Sequence, residues 1–283
     1  MSSPDFPCKS IECHNRALPT GPFRHVIFDF DGTLSLIRGG WADVMAGCFL
    51  EWIPLGPEES AVELGETLRR EVLELNGKQT IFQMAHFAVK LRERGVTPRE
   101  PEWYKARFTE ALLKKTTERL AAIREGRRSV GEYLVAHGLE VLRLLRDGGA
   151  NLYLISGTER RFVLEEAEAL GVAGFFGDHI YGPEGDDQTF SKMRIMSEIM
   201  EHEAVAPGEL LSFGDGPVEI QNTKHLGGLA VGIASDEVNP GSGRIDAFKR
   251  GLLLNAGADL ISPDYREIPD LLEWLRDRKA VAS

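Results

Sequence analysis

The hydrophobic period of this chain changes twice, and that constrains its fold more than any other feature. A short apolar run at Val26–Phe28 ends in "DFDGTLS" (29–35). From about Ile37 to about Leu134 apolar residues then recur at helical spacing: Trp41, Val44, Met45 and Phe49, then Leu64, Leu68, Val72 and Leu75, then Ile81, Met84, Phe87 and Leu91. Proline and glycine near Pro54–Pro57, Asn76–Gly77 and Gly95–Pro98 divide this block into several helices. Beyond it, strand and helix patterns alternate. The predicted strands are 150–156, 179–181, 210–215, 229–233 and 259–262. The predicted helices are 139–147, 159–170, 192–202, 218–225, 244–255 and 268–276. Strands that alternate with helices pair in parallel, with the helices packed on the sheet faces. The expected fold is therefore α/β: a Rossmann-like parallel sheet core, residues 23–36 and 135–283, with an all-helical cap domain, residues 37–134, inserted after the first strand. Residues 1–22 are polar and rich in proline, and read as an irregular N-terminal arm.

At 283 residues and 42% hydrophobic content the chain can bury a sizeable core. Its net charge of -11 argues against a nucleic-acid or anionic-membrane surface. A small phosphate ligand stays possible, because a local lysine and backbone N–H groups can hold one. Cys8, Cys13 and Cys48 are too few for a disulfide framework. The N-terminal stretch carries charges and no long apolar run, so neither a signal peptide nor a membrane span is expected, and the default location is a reducing cytoplasm.

In open parallel sheets, ligand sites lie at the carboxyl ends of strands. The first strand ends at Asp29 and Asp31. The second ends at Ser156, followed by Gly157, Thr158 and a predicted helix. "FSKM" offers Lys192 at a helix start, and "FGDGPVEI" offers Asp215 and, one turn on, Glu219. Several oxygens on converging loops suit Mg²⁺, which takes one or two carboxylates plus water and a substrate phosphate. The Ser156 hydroxyl, the backbone N–H groups after it and Lys192 suit phosphoryl oxygens. One of the paired aspartates can attack phosphorus, and the other can move a proton to and from the leaving group.

These four motifs, in this order and spacing, resemble the haloacid dehalogenase superfamily in its phosphatase branch: "FDFDGTLS", "LYLISGT", Lys192 and "FGDGPVEI". The helical insertion resembles the cap of the phosphoglycolate phosphatase and β-phosphoglucomutase group. The resemblance spans roughly residues 24–277. It implies Asp29 as nucleophile, Asp31 as acid and base, and Ser156 and Lys192 on the phosphoryl group. It further implies Mg²⁺ on Asp29, the Asp31 backbone carbonyl and Asp215. Glu219 replaces the aspartate often found in that motif and is expected to support the metal directly or through water. Dehalogenases and phosphonate hydrolases resembling this family lack an acid at the position of Asp31.

The rival readings of these motifs fare worse. An EF-hand loop starting at Asp29 would need Gly at Leu34 and Glu at Gly40; a phosphate-binding P-loop around Lys78 fails at Val72 and Gln79. Cys8, Cys13 and His14 lack a fourth zinc ligand nearby. Trp41 and Phe49 at helical spacing read as cap core. The polar break "NGKQT" (76–80) reads instead as a loop pointed at the site, with Gly77 allowing a tight backbone and Lys78 and Gln79 contacting substrate. Arg38, in the glycine-rich linker Ile37–Gly40, is a further expected substrate contact beside a hinge. The expected activity is hydrolysis of a small phosphorylated metabolite, a sugar phosphate or a phosphorylated organic acid, through an aspartyl-phosphate. A phosphomutase using the same intermediate, and a catalytically silent binding protein, are the alternatives.

Overall fold

The computed structural model describes residues 6–15, 17–76, 78–184 and 189–282. Within them a sheet forms from β1 (Glu12–Cys13), β2 (His25–Phe28), β3 (Asn151–Ile155), β4 (Ile180–Tyr181), β5 (Leu210–Gly214), β6 (Leu229–Ile233) and β7 (Leu260–Ser262). Their order is β1-β7-β6-β5-β2-β3-β4, parallel throughout except for β1, which runs antiparallel to β7. All residues of β2, β5 and β6 are buried, which is why they read as unbroken apolar runs: helices cover both faces of a parallel sheet. Those helices are α5 (Gly138–Asp147), α6 (Arg160–Ala169), α7 (Lys192–His202), α8 (Pro217–His225), α9 (Ala247–Asn255) and α10 (Ile268–Ala282).

Between β2 and α5 lie the cap helices α1 (Trp41–Trp52), α2 (Ala61–Glu74), α3 (Thr80–Glu93) and α4 (Pro101–Arg124). Their apolar stripes meet in a core of their own that contains Met45, Phe49, Leu68, Val72, Met84, Phe87, Tyr104 and Phe108. Phe49 stacks on Phe87 with ring centroids 3.9 Å apart. Each such side chain contributes about 1.5–3 kcal/mol through burial, enough to hold short helices that would not persist alone. Ser60 starts α2 by accepting the Val62 N–H, and Pro101 starts α4 where an N–H has no helical partner. The lower end of α4 reaches the sheet domain: Leu120 joins the main core with Leu36 and Ile37, and Arg119 donates to the Ile37 and Gly39 carbonyls of the linker.

Two expectations need correction. The N-terminal stretch is not wholly irregular, since it supplies β1 and buries Cys8, Ile11 and Leu18 in the main core. Glu267 fixes it by accepting from the Lys9 and Ser10 N–H groups and the Ser10 hydroxyl. The helix expected from Arg244 begins at Ala247, because the Asp246 carboxylate caps it by accepting the Lys249 N–H. Among the described residues no helix is long and apolar enough to cross a membrane.

Strand register places the site. Phe28 lies level with Leu154 on one side and Phe213 on the other. The chain positions that follow, Asp29, Ser156 and Asp215, therefore leave the same end of three adjacent strands.

Candidate active site

Asp29 is buried, and its backbone N–H donates to the Phe213 carbonyl. Lys192, the first residue of α7, arrives from across the site with Ser191 capping the helix. Its ammonium donates to Asp29 Oδ1 at 2.7 Å and to Glu219 Oε1. Burial pushes the Asp29 carboxyl well above the usual range; Lys192 pulls it down, while Glu219 and Asp215 push it further up. Burial alone would weaken Lys192 as a base, yet Asp29 and Glu219 outweigh that and raise it.

Asp31 faces the second strand loop. Its Oδ2 accepts from the Thr158 hydroxyl at 2.8 Å and from the Ser156 hydroxyl at 3.5 Å, while the Ser156 Oγ also accepts the Thr158 N–H. Its Oδ1 lies 3.6 Å from Arg38 Nε, too far for a hydrogen bond, and has no other partner. Arg38 does not lie free in the cavity. Its guanidinium pairs with Glu166 of α6 at 2.7 Å, and both residues are buried. Burial raises Glu166 to about 7; Arg38 opposes that and Asp31 reinforces it.

Asp215, at the end of β5, is buried against the loop after β2. Gly32 has φ +75, and a Cβ there would stand 2.1 Å from Asp215 Oδ2, so glycine is needed for both conformation and space. Lys249 of α9 reaches the same oxygen at 2.9 Å and Glu237 at 2.6 Å. Burial lifts the Asp215 carboxyl to about 6, with Lys249 opposing and Glu237 adding to the rise.

The donor set fits a divalent cation of the Mg²⁺ kind. Among the described residues no group of three or more His, Cys, Asp or Glu side chains stands at coordination spacing. Mg²⁺ does not require one, since two carboxylates and waters suffice. Asp29, Asp31, Asp215, Glu219 and Glu237 outnumber the cations paired with them, Lys192, Lys249 and Arg38. Two buried oxygens here, Asp31 Oδ1 and Glu219 Oε2, also lack a hydrogen-bond partner.

The cap closes over this set and leaves a cavity of about 70 Å³. Asp29, Asp31, Ser156, Gly157, Thr158 and Lys192 line it from the core, with Arg38 from the linker. Lys78, Asn76, Thr80 and Gln83 line it from the cap, together with the apolar wall of Trp41, Met45, Phe108 and Leu112. Trp41, read as cap core, thus serves two surfaces, whereas Phe49 is core alone. Gln79, expected against substrate, instead donates its amide to the Phe190 carbonyl at 2.6 Å and latches the cap to the core. Asn76 adds a second latch, donating to Asp215 Oδ1 at 3.3 Å. Gly77 lies outside the described residues.

Sequence reasoning missed Glu166 and Lys249, and it aimed the 76–80 loop at the site without giving Asn76 a contact. Glu166 left a trace: Val163 and Ala167 on α6, with Leu170 just past its end, form an apolar stripe, and Glu166 occupies its middle. A carboxylate there needs a buried cation. Lys249 left none, since Leu252, Leu253 and Leu254 make the buried face of α9 ambiguous.

A parallel α/β core with an inserted helical cap and paired carboxylates at the first strand's end defines a class of hydrolases. Residues 23–227 match the model of the haloacid dehalogenase-like hydrolases, and the chain belongs to that family. Solved structures agree in fold. A predicted phosphoglycolate phosphatase from Haemophilus somnus 129pt superposes with a TM-score of 0.59 at 18% identity, over 88% of this chain and 97% of that one. A candidate β-phosphoglucomutase from Bacteroides vulgatus gives 0.57 at 17%, over 89% and 90%. A haloacid dehalogenase family hydrolase from Deinococcus radiodurans R1, with bound phosphate and sodium, gives 0.55 at 18%, over 90% and 97%. No curated protein matches the sequence.

Proposed function

We propose that this enzyme is a Mg²⁺-dependent phosphatase of a small phosphorylated metabolite, with residues 37–134 as a cap over a core of residues 23–36 and 135–283. One observation carries the reading: Asp29, on Lys192, and Asp31, on Thr158, open side by side into one cavity beneath the cap. Asp29 attacks phosphorus while the bond to the leaving oxygen breaks. Asp31, held by Thr158, gives that oxygen its proton. Asp31 then takes a proton from water as the water oxygen displaces Asp29 from phosphorus. Ser156, the Gly157 N–H, the Thr158 N–H once it turns from Ser156 Oγ, and Lys192 hold the phosphoryl oxygens. Asp29, Asp215, the Asp31 carbonyl and Glu219, directly or through water, would hold Mg²⁺, which when bound would neutralise phosphoryl charge. Closure by the Asn76 and Gln79 latches excludes water and limits substrates to small ones, not nucleic acid or other polymers. Cys8, Cys13 and Cys48 are free thiols, in keeping with a cytoplasmic location.

The test is a screen of phosphorylated metabolites for phosphate release with Mg²⁺, repeated after chelation. Release that stops with chelator and returns with Mg²⁺ supports the reading. Isomerised sugar phosphate without free phosphate would make the enzyme a mutase. No turnover of any substrate, aryl phosphates included, would leave a binding protein.

Two variants probe the roles. Asp31→Asn should lower kcat by about 10²–10⁴-fold on alkyl phosphates, the usual worth of a positioned acid. The loss should shrink on aryl phosphates, whose leaving groups need no proton; an equal loss on both would remove Asp31 from the proton path. Lys78→Ala should lower kcat/KM on the natural substrate about 10-fold, or ~1.4 kcal/mol, and leave a small aryl phosphate nearly unaffected. Equal losses on both would give Lys78 a structural role.

A further inference from the structure

Asp215 presents its two oxygens to different surroundings. Oδ2 is wedged between Gly32 and the Lys249 ammonium, which stands 2.9 Å away. Oδ1 faces the Asn76 amide of the cap. Lys249 is itself held from two further sides. Glu237 Oε1 accepts from it at 2.6 Å, and Ser235 Oγ lies 3.3 Å from it. The Ser235 hydroxyl in turn donates to the Gly32 carbonyl at 3.1 Å. Asp246 fixes the start of α9, one turn before Lys249, by accepting the Lys249 N–H. The ammonium is thus a fixed charge reached from α9 and braced by the loop after β6, behind the side of Asp215 that faces the site.

We propose that Lys249 is a positioning residue that pins Asp215 by Oδ2, leaves Oδ1, which has a lone pair besides the one on the Asn76 amide, as the oxygen that meets a divalent cation, and holds the affinity for that cation down. Glu237 tunes this by sharing the ammonium. The proposal rests on the Mg²⁺ reading given above. Its physical basis is Coulombic. A cation fixed on one oxygen of a buried carboxylate repels a second cation on the other oxygen, and little water intervenes to screen the two. An anion behind the first cation reduces that repulsion.

The consequence is a pair of opposite shifts that packing alone would not produce. Mg²⁺ titrated calorimetrically into the full chain near neutral pH should bind Lys249→Met about 10-fold more tightly than the wild type, because the competing charge is gone. Glu237→Gln should bind it more weakly, by about 3-fold or more, because the whole ammonium charge then falls on Asp215. A merely structural role would weaken binding in both. Weaker or unchanged affinity in Lys249→Met would overturn the proposal. If that variant does not fold, Lys249→Gln decides, since it keeps a polar group between Asp215 and Glu237 without the charge: tighter binding upholds the proposal, and equal or weaker binding overturns it. A wild type that binds no Mg²⁺ would overturn the metal reading and this proposal together, whereas equal affinities in all three proteins would overturn this proposal alone.

Discussion

Asp29→Asn should reduce turnover on the order of 10⁶-fold, the loss that follows removal of a nucleophile. The substitution changes an oxygen to an NH₂ group and almost nothing else. Oδ1 can still accept from Lys192, which now stands 2.7 Å away, so the fold and the α7 docking should persist. The variant has lost the negative oxygen that forms the bond to phosphorus. Two measurements separate this from a folding defect. Its denaturation midpoint should match or exceed that of the wild type, because burial opposes charge on Asp29 and the amide carries none. Beryllium fluoride, which mimics phosphate on an aspartate, should form a stable adduct with the wild type and none with the variant. Near-normal turnover by Asp29→Asn would sink the mechanism.

Lys192→Met should have the second-largest effect, and on two scales at once. Its ammonium pairs with Asp29 and Glu219, and all three side chains are nearly inaccessible. Removing one member of a buried ionic cluster costs about 3–5 kcal/mol, because the remaining charges stay buried without a partner. The loss should depend on pH with a definite sign. Without Lys192, the Asp29 carboxyl is raised still further above its ordinary value of 3.8. A group whose folded pKa is raised contributes stability that is fully present below its unfolded value and is lost as pH rises through the folded one. Urea melts of the variant should therefore approach the wild type in acid and fall away toward neutral pH. Phosphate release should also drop, since the fixed charge opposite the phosphoryl oxygens is gone. A variant as stable as the wild type at neutral pH would mean that Lys192 does not neutralise this pair.

The parts of the fold legible in the sequence are those where burial is continuous or periodic. Val26–Phe28 and Leu229–Ile233 read as strands because both of their faces are covered, so no polar residue interrupts them. The cap was legible because Leu64, Leu68 and Val72 repeat the turn of a helix and are all buried. β1 was not, since two residues carry no period, and its existence depends on β7, which lies far along the chain. The same division holds at the site. Asp29, Ser156 and Asp215 stand at strand ends and are found by reading the strands. Lys249 and Glu166 are joined to the site by pairing across the fold, to Asp215 and to Arg38, and a local pattern cannot encode a distant partner. Gln79 shows the converse: a polar residue in a polar loop suggests a ligand contact, yet a nearby carbonyl, that of Phe190, takes its amide.

The antiparallel strand at the start of the described chain has a consequence for solubility. A parallel sheet built from β2 to β7 would end at β7 in a row of open backbone donors and acceptors, a template onto which a second chain could add. Residues Glu12 and Cys13 occupy that row, and the Glu267 carboxylate, just beyond β7, holds the preceding residues in place. Glu12 also puts a charged side chain on the rim, where it pairs with Arg250. The N-terminal stretch thus moves the sheet's flank from β7 to a two-residue strand with a charged side chain, a far shorter template for a second chain.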